Sequence, residues 1–209
     1  RASRMFAPIK DAVAGKNSRE KDGPPDVRPL GSTCVYARII LTAVMSAKAG
    51  DFGEAMWPHQ IAVGISGGAS ILTQGIRLIM ELHPDWVAIK IDISNAFNEV
   101  KRHAVIQALA DEPTLRDLVP LFHALMHCEA PIIIDGDHGP EMRDTLRGKE
   151  GMIQGSPEGP AGFAIAYNSE LARLAGELQK LKPEKGGDAP AVKSGADDTF
   201  LLGPPAQLL

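Results

Sequence analysis

Val87-Ala88-Ile89-Lys90-Ile91-Asp92-Ile93-Ser94 is the stretch from which the fold is read. Val87, Ile89, Ile91 and Ile93 alternate with Ala88, Lys90, Asp92 and Ser94, the period-2 pattern of a strand with two unlike faces. Asp92 falls near the C-terminal end of that strand, on the face opposite the isoleucines. Downstream, helical spacing is expected over about 101–110 and again over 114–127. Ile132-Ile133-Ile134-Asp135-Gly136 reads as a strand entering an Asp-Gly turn, with its return strand at about 145–151. A loop dense in glycine and proline, 151–160, feeds a long helix at about 162–181. After a Lys/Gly/Pro linker over 182–190, two short strands, 191–194 and 199–202, bracket Gly195-Ala196-Asp197-Asp198.

Upstream of Val87, His83-Pro84 ends a helix that begins near Ala69 and should turn Ile71, Leu72, Ile76, Ile79 and Leu82 inward. Gln60 to Ser66 is expected as a short strand or an extended loop. Thr33 to Ala49 is expected as a helix with Val35, Ile39, Ile40 and Val44 on one stripe. Residues 10–29 are polar and rich in breakers, a surface loop. Hairpins interleaved with helices imply an α+β fold rather than a doubly wound parallel sheet.

The 209 residues, 44% hydrophobic and 23% charged, suit one globular domain that buries roughly 70% of its unfolded surface. No apolar run reaches the ~18 residues of a membrane span and no signal peptide opens the chain, so no membrane partner is expected. Two cysteines, Cys34 and Cys128, are too few for a disulfide framework, and an intracellular, reducing compartment is the default. The net charge of −4 hides an asymmetry: residues 1–50 carry +5 and the other 159 carry −9. A basic segment beside an acidic remainder suits phosphate contact in one place and cation capture in another, and equally an uneven solvated surface. The chain begins without Met and stops just after an apolar stretch, which reads as a piece of something longer.

Adjacent aspartates within a strand point to opposite faces, whereas at the tip of a tight hairpin both can converge. Two like charges so close need a cation or a strong donor between them. With Asp92 added, three carboxylates could meet, the oxygen ligand set of a hard divalent cation such as Mg2+. Two such ions about 3.5–4 Å apart serve phosphoryl transfer. Taken singly, Asp-Asp is also a common turn dipeptide and Asp92 an ordinary strand-end cap.

Four motifs in order tip the balance. Asp92-Ile93-Ser94-Asn95-Ala96-Phe97 resembles the first catalytic motif of reverse transcriptases, Asp-x-Ser-x-Ala-Phe, in the Ser-Asn-Ala-Phe-Asn form of retroelement proteins. Gly151-Met152-Ile153-Gln154-Gly155-Ser156-Pro157-Glu158-Gly159-Pro160 is similar to their Gly-x-x-Gln-Gly-x-Pro-x-Gly-Pro loop. Ala196-Asp197-Asp198 resembles their catalytic hairpin, and Arg28-Pro29-Leu30 an Arg-Pro-Ile/Leu stretch of their fingers. Together the resemblance spans about residues 26–205 and is nearest to non-LTR retrotransposon proteins.

It implies a polymerase palm with an antiparallel sheet and packed helices, plus partial fingers, without the thumb. Residues 1–209 would form one fingers and palm fragment: 1–85 fingers-like, 86–111 and 151–209 the palm core. Asp92, Asp197 and Asp198 would be the catalytic, metal-binding carboxylates, for two Mg2+ ions with Mn2+ as a substitute. Phe97 would pack under the incoming sugar and exclude a 2′-hydroxyl, favouring DNA synthesis, although an aromatic after a strand is as readily core. Gln154 and Gly155 would line the nucleotide pocket, and Arg28 would contact the triphosphate through its guanidinium fork. The implied activity is RNA-directed DNA polymerisation on a primed RNA or DNA template from deoxynucleoside triphosphates, in the nucleus if the host is eukaryotic, with the fragment inactive alone. Two positions depart from the pattern: Gly195 where an aromatic usually precedes Ala-Asp-Asp, and Glu158 where the loop usually has Leu.

Rival readings exist. A catalytically decayed polymerase fold would only bind nucleic acid. Gly64-Ile65-Ser66-Gly67-Gly68 is a formal Gly-x-Ser-x-Gly, the nucleophile elbow of an α/β-hydrolase, with Asp111 or Asp117 and His138 in permissible order. In the reverse-transcriptase reading, Gln60 to Ala69 simply precedes a helix near the template. His123 and His127 have helical i,i+4 spacing but lack the Glu of a metalloprotease site, so ordinary helix histidines are expected. Asp135 to Gly139 hints at a calcium loop, yet its twelfth position is Leu146, and a hairpin turn is preferred.

Overall fold

The computed structural model describes residues 3–6, 30–127, 130–136, 139–181 and 188–208. Two short strands open it, β1 (Ser3–Phe6) and β2 (Leu30–Ser32), followed by α1 (Val35–Ala47), α2 (Ala49–Met56) and α3 (Gly68–Leu82). The Ile-rich strand is β3 (Val87–Ile91), and α4 (Ala96–Glu99) and α5 (Arg102–Asp111) follow it. A 3-10 turn at Arg116–Leu118 leads into α6 (Val119–Met126), then the hairpin β4 (Ala130–Gly136) and β5 (Gly139–Gly148). The long α7 (Gly159–Lys180), the hairpin β6 (Ala191–Gly195) and β7 (Asp198–Gly203), and a short α8 (Pro205–Leu208) complete the order.

Two sheets result. One has the order β3-β7-β6 and is antiparallel throughout; the other has the order β2-β1-β4-β5, in which β1 runs parallel to β4. The expected α+β mixture is present, while the parallel β1–β4 pair departs from an all-antiparallel arrangement, which the long crossover of more than 120 residues between them permits.

The core gathers where α2, α5 and α6 meet α7: Phe52, Met56, Val105, Leu109 and Phe122 are buried there. In the three-stranded sheet, directly opposed residues share a face. Val192 of β6 and Leu201 of β7 therefore look the same way, and they pack with Tyr167, Leu171, Leu174 and Leu178 of α7. The other face carries Lys90 opposite Phe200, with Lys193 on β7's far side.

Several expectations are corrected. The helix foreseen over 33–49 ends at Ala47, and a second one starts at Ala49. The turn forms at Lys48, whose ammonium ties the nearby Asp51 and also Asp117 and the Thr114 carbonyl, the last two being contacts that no local pattern encodes. The stripe on α3 is only partly buried: Leu72 is covered, but Ile71 and Leu82 are exposed. The helix foreseen from Thr114 starts as a 3-10 turn, with Pro120 in the first turn of α6. The return strand starts at Gly139 rather than at 145, and all of the 10–29 segment and most of the 182–190 segment lie outside the described residues. Among the described residues, no helix is long and apolar enough to cross a membrane.

Candidate functional site

Asp92 follows β3 by one residue. β3 and β7 pair with Ile91 opposite Thr199, and continuing that register sets Asp92 beside Asp198. Asp198 in turn opposes Gly195 across the β6–β7 hairpin, which leaves Ala196 and Asp197 as a two-residue turn. Strand pairing therefore brings together two aspartates about a hundred positions apart, with Asp197 next to them on the turn. Lys90, two residues before Asp92, stands on the same face. Its Nζ lies 2.7 Å from Asp198 Oδ1, and both side chains are about half exposed. The contact with Asp198 and then its charge raise the lysine pKa above its usual value; Asp92 and Asp197 add to the rise against a desolvation that opposes it. All three carboxylates thus act on one ammonium. Among the described residues, no three His, Cys, Asp or Glu side chains stand close enough to form a ready metal cage.

The turn is held from beneath. Ala196 sits at φ +61°, a left-handed conformation unusual for a residue with a Cβ. The fully buried Gln60 grips it: Oε1 accepts the Ala196 N–H at 2.7 Å, and Nε2 donates to the Ala196 carbonyl at 3.0 Å. The flanking backbone is anchored as well, with Ser194 N–H donating to His59 O and Ile61 N–H to Ser194 O. Behind the sheet, Tyr167 of α7 touches the Thr199 hydroxyl at 2.9 Å, and Thr199 donates to Ser194 Oγ at 3.1 Å.

Phe97, half-buried, stacks on Phe163 with ring centroids 4.8 Å apart, and Phe163 stacks on Tyr167 at 5.5 Å. The 151–155 loop is laced to α4 by Gly151 N–H to Val100 O and Met152 N–H to Phe97 O. Gly155 is at φ +101°, and a Cβ there would lie 3.0 Å from Gly31 O, so its close backbone approach in the structure is to β2. Gln154 accepts from Gly31 N–H through its own carbonyl. Arg28, four residues before Ser32, lies outside the described residues.

Both departures from the motif pattern have surroundings that accept them. A side chain at 195 would start 2.7 Å from Leu72 Cδ2, so α3 occupies the space beside Gly195. Glu158 is buried at the start of α7 and accepts from the Ser156 hydroxyl.

The rival sites fare differently. No strand runs into Ser66; its loop is folded onto α2, where a Cβ on Gly64 would lie 2.1 Å from Ala49 O. The nucleophile elbow is therefore missing. Asp117 is engaged by Lys48, and His138 lies outside the described residues. His123 on α6 and His127 just past its end face each other at 5.5 Å as tilted rings.

The reading from sequence missed Gln60, Lys90 and Arg102. Arg102 donates to the carbonyls of Met126, Gly148 and Gly151 and so ties α5 to the entrance of the 151–160 loop. Lys90 was recoverable, since it shares Asp92's face of the strand. Gln60 and Arg102 act on backbone far away in sequence; Arg102 leaves no local signal, and the Gln60 to Ala69 stretch was read only as preceding a helix near the template.

No protein-family model matches the chain, and neither does any curated protein. Solved structures do. Apo telomerase from Candida tropicalis, truncated from its C-terminal domain, superposes on 99% of this chain and 44% of its own, with a TM-score of 0.58 at 12% identity. Another apo telomerase from Candida tropicalis matches over 98% and 40%, with a TM-score of 0.60 at 10% identity. Telomerase from Candida albicans in complex with a TWJ fragment of telomeric RNA matches over 98% and 38%, with a TM-score of 0.55 at 10% identity. At these identities the likeness is one of fold, and the chain spans less than half of each telomerase chain. Helices packed with a small antiparallel sheet are thus what this chain shares in fold with the telomerase structures.

Proposed function

We propose that the chain is the fingers and palm part of a retroelement reverse transcriptase, which extends a primer on an RNA or DNA template with deoxynucleoside triphosphates. The observation that carries this reading is the pairing of Ile91 with Thr199, whose continuation by one residue would bring Asp92 to Asp198, with Asp197 on the adjoining turn. The reaction is attack of the primer 3′-hydroxyl on the α-phosphate, with release of pyrophosphate. The protein's share is position and electrostatics rather than covalent chemistry.

The carboxylate set fits a hard divalent cation in kind, since it consists of oxygen donors, one of which, Asp198, already pairs with a positive group, the Lys90 ammonium. Asp92, Asp197 and Asp198 would hold Mg2+, or Mn2+ in its stead. Bound there, the ions would lower the charge of the phosphates and favour the ionised hydroxyl. Phe97 would lie under the sugar of the incoming nucleotide, backed by Phe163. Gln154 and Gly155 would border the nucleotide, and Arg28 would meet its triphosphate. The telomerases similar in fold include chains solved with telomeric RNA, which supports nucleic acid as the partner class.

A second reading, a decayed fold that binds nucleic acid without catalysis, draws on the Lys90–Asp198 ion pair and on the lack of a ready metal cage among the described residues. One experiment separates the two: Mg2+-dependent nucleotide incorporation on a primed template by the full-length protein, with and without Asp197→Ala. Incorporation lost in the variant supports polymerisation. Template binding without incorporation in either protein supports the second reading.

A further inference from the structure

Gln60 uses its whole hydrogen-bonding capacity. Its two amide hydrogens go to the Ala196 carbonyl and, at 3.4 Å, to Ser194 Oγ; its carbonyl oxygen accepts from the N–H groups of Ala196 and Ala62. Only one orientation of the amide meets these partners, because Ala196 presents a donor and an acceptor side by side. The carboxamide thus does for Ala196 what a neighbouring strand does for a residue in a ladder.

The rest of the support points the same way. Tyr167 and Thr199 share a hydroxyl–hydroxyl hydrogen bond, Thr199 donates to Ser194 Oγ, and the single Ser194 proton is placed between the carbonyls of Ala196 and Asp198. Every one of these bonds falls on the backbone or the hydroxyls that frame Asp197 and Asp198. None of them touches a carboxylate. Gln60 is itself fixed, fully buried and held on either side by backbone bonds between 59–61 and Ser194.

We propose that Gln60 is a positioning residue: by gripping both backbone polar groups of Ala196 it holds the turn in its left-handed conformation and fixes where Asp197 and Asp198 are presented. This rests on the polymerase reading for its consequence in catalysis, but not for the clamp. A turn freed of the clamp relaxes toward ordinary φ values and carries the carboxylates with it. A displacement of about 1 Å at a reacting centre costs on the order of 100-fold in rate.

The test uses Gln60→Met, which keeps the length of the side chain without its hydrogen bonds, and Gln60→Glu, which loses the two donors. Circular dichroism first establishes that each variant of the full-length protein is folded. Hydrogen exchange is then followed at the amides of 195–198, and kcat and KM are measured for Mg2+-dependent incorporation. Lost protection of the Ala196 amide, with kcat down about 100-fold per folded molecule and KM for the nucleotide unchanged, supports the proposal. Protection as in the wild type in Gln60→Met overturns it. So does lost protection with kcat intact, the result expected of a residue that only stabilises. Should the wild type itself incorporate nothing, the polymerase reading fails, and the exchange measurement alone decides the clamp.

Discussion

Replacement of Gly151 by alanine should do damage far beyond one methyl group. Gly151 is at φ +75°, and a Cβ there would lie 2.3 Å from the Asn98 carbonyl oxygen, 2.6 Å from its carbon and 2.7 Å from Asn98 Cα. All three atoms are backbone, so no change of rotamer relieves the overlap. Two costs add. Holding alanine in the left-handed region costs about 1–2 kcal/mol. Moving the loop off α4 gives up the bonds from Gly151 N–H to Val100 O and from Met152 N–H to Phe97 O, each worth about 1 kcal/mol net and more where no water replaces them. The total of about 3–5 kcal/mol corresponds to a fall in melting temperature of roughly 6–20 °C for a chain of this length. Urea unfolding of wild type and variant, followed by far-UV circular dichroism, measures it. A loss below about 1 kcal/mol at an unchanged m value would refute the claim that this loop and α4 are locked backbone to backbone.

Three further outcomes are expected. His59 is held below its usual 6.5 first by burial and then by the charge of Lys193, with a backbone bond to Val192 opposing. The folded protein therefore binds fewer protons than the unfolded one; stability is full above about pH 6.5 and drains as pH falls toward the depressed folded value. His59→Gln should flatten that part of the urea-midpoint profile, and identical slopes in the two proteins would count against it. Gly195→Tyr should lower the melting temperature by driving into Leu72, and Leu72→Ala in the same chain should recover part of the loss; strictly additive effects would show that the two sites do not meet. Phe97→Val in an active protein should relax discrimination against ribonucleotides, and unchanged selectivity would remove the argument for DNA as the product.

How much of this was legible in the sequence depended on how far each element's cause lay along the chain. β3 could be read because alternation is local, and the β6–β7 hairpin because two apolar runs flank a polar pair. The start of α7 was misplaced by only three residues, since Pro160 and Gly159 mark a first turn. The break at Lys48 was hidden, because no glycine or proline stands at that residue and the partners its ammonium meets there, Thr114 and Asp117, lie far along the chain. β1 and β2 were hidden for the same reason, being three- or four-residue strands whose partners lie far away. The three carboxylates could be named from their motifs, whereas their relation had to come from the register of β3 on β7. Gln60 shows the limit most clearly: the Gln60 to Ala69 stretch could be likened to a family segment near the template, but the hold of Gln60 on Ala196, 136 residues downstream, could not be read from it.

Charge and position are handled by different residues at this turn. Three carboxylates at one sheet end repel one another, and Lys90 offsets that repulsion from a place where both it and Asp198 are about half exposed. An ion pair so exposed is weak and screened by salt, because water competes for both partners. It adjusts the charge of the site without fixing its shape. Shape comes from below, where Gln60, Ser194, Thr199 and Tyr167 meet one another and the Ala196 backbone, with three of the four lying in or beside the buried face of the sheet. Bonds there are short of water and stronger for it. Under the proposed reading, in which the site takes up and releases cations while its carboxylates keep their register, this division would serve both needs, with an exchangeable charge above the turn and a fixed frame beneath it.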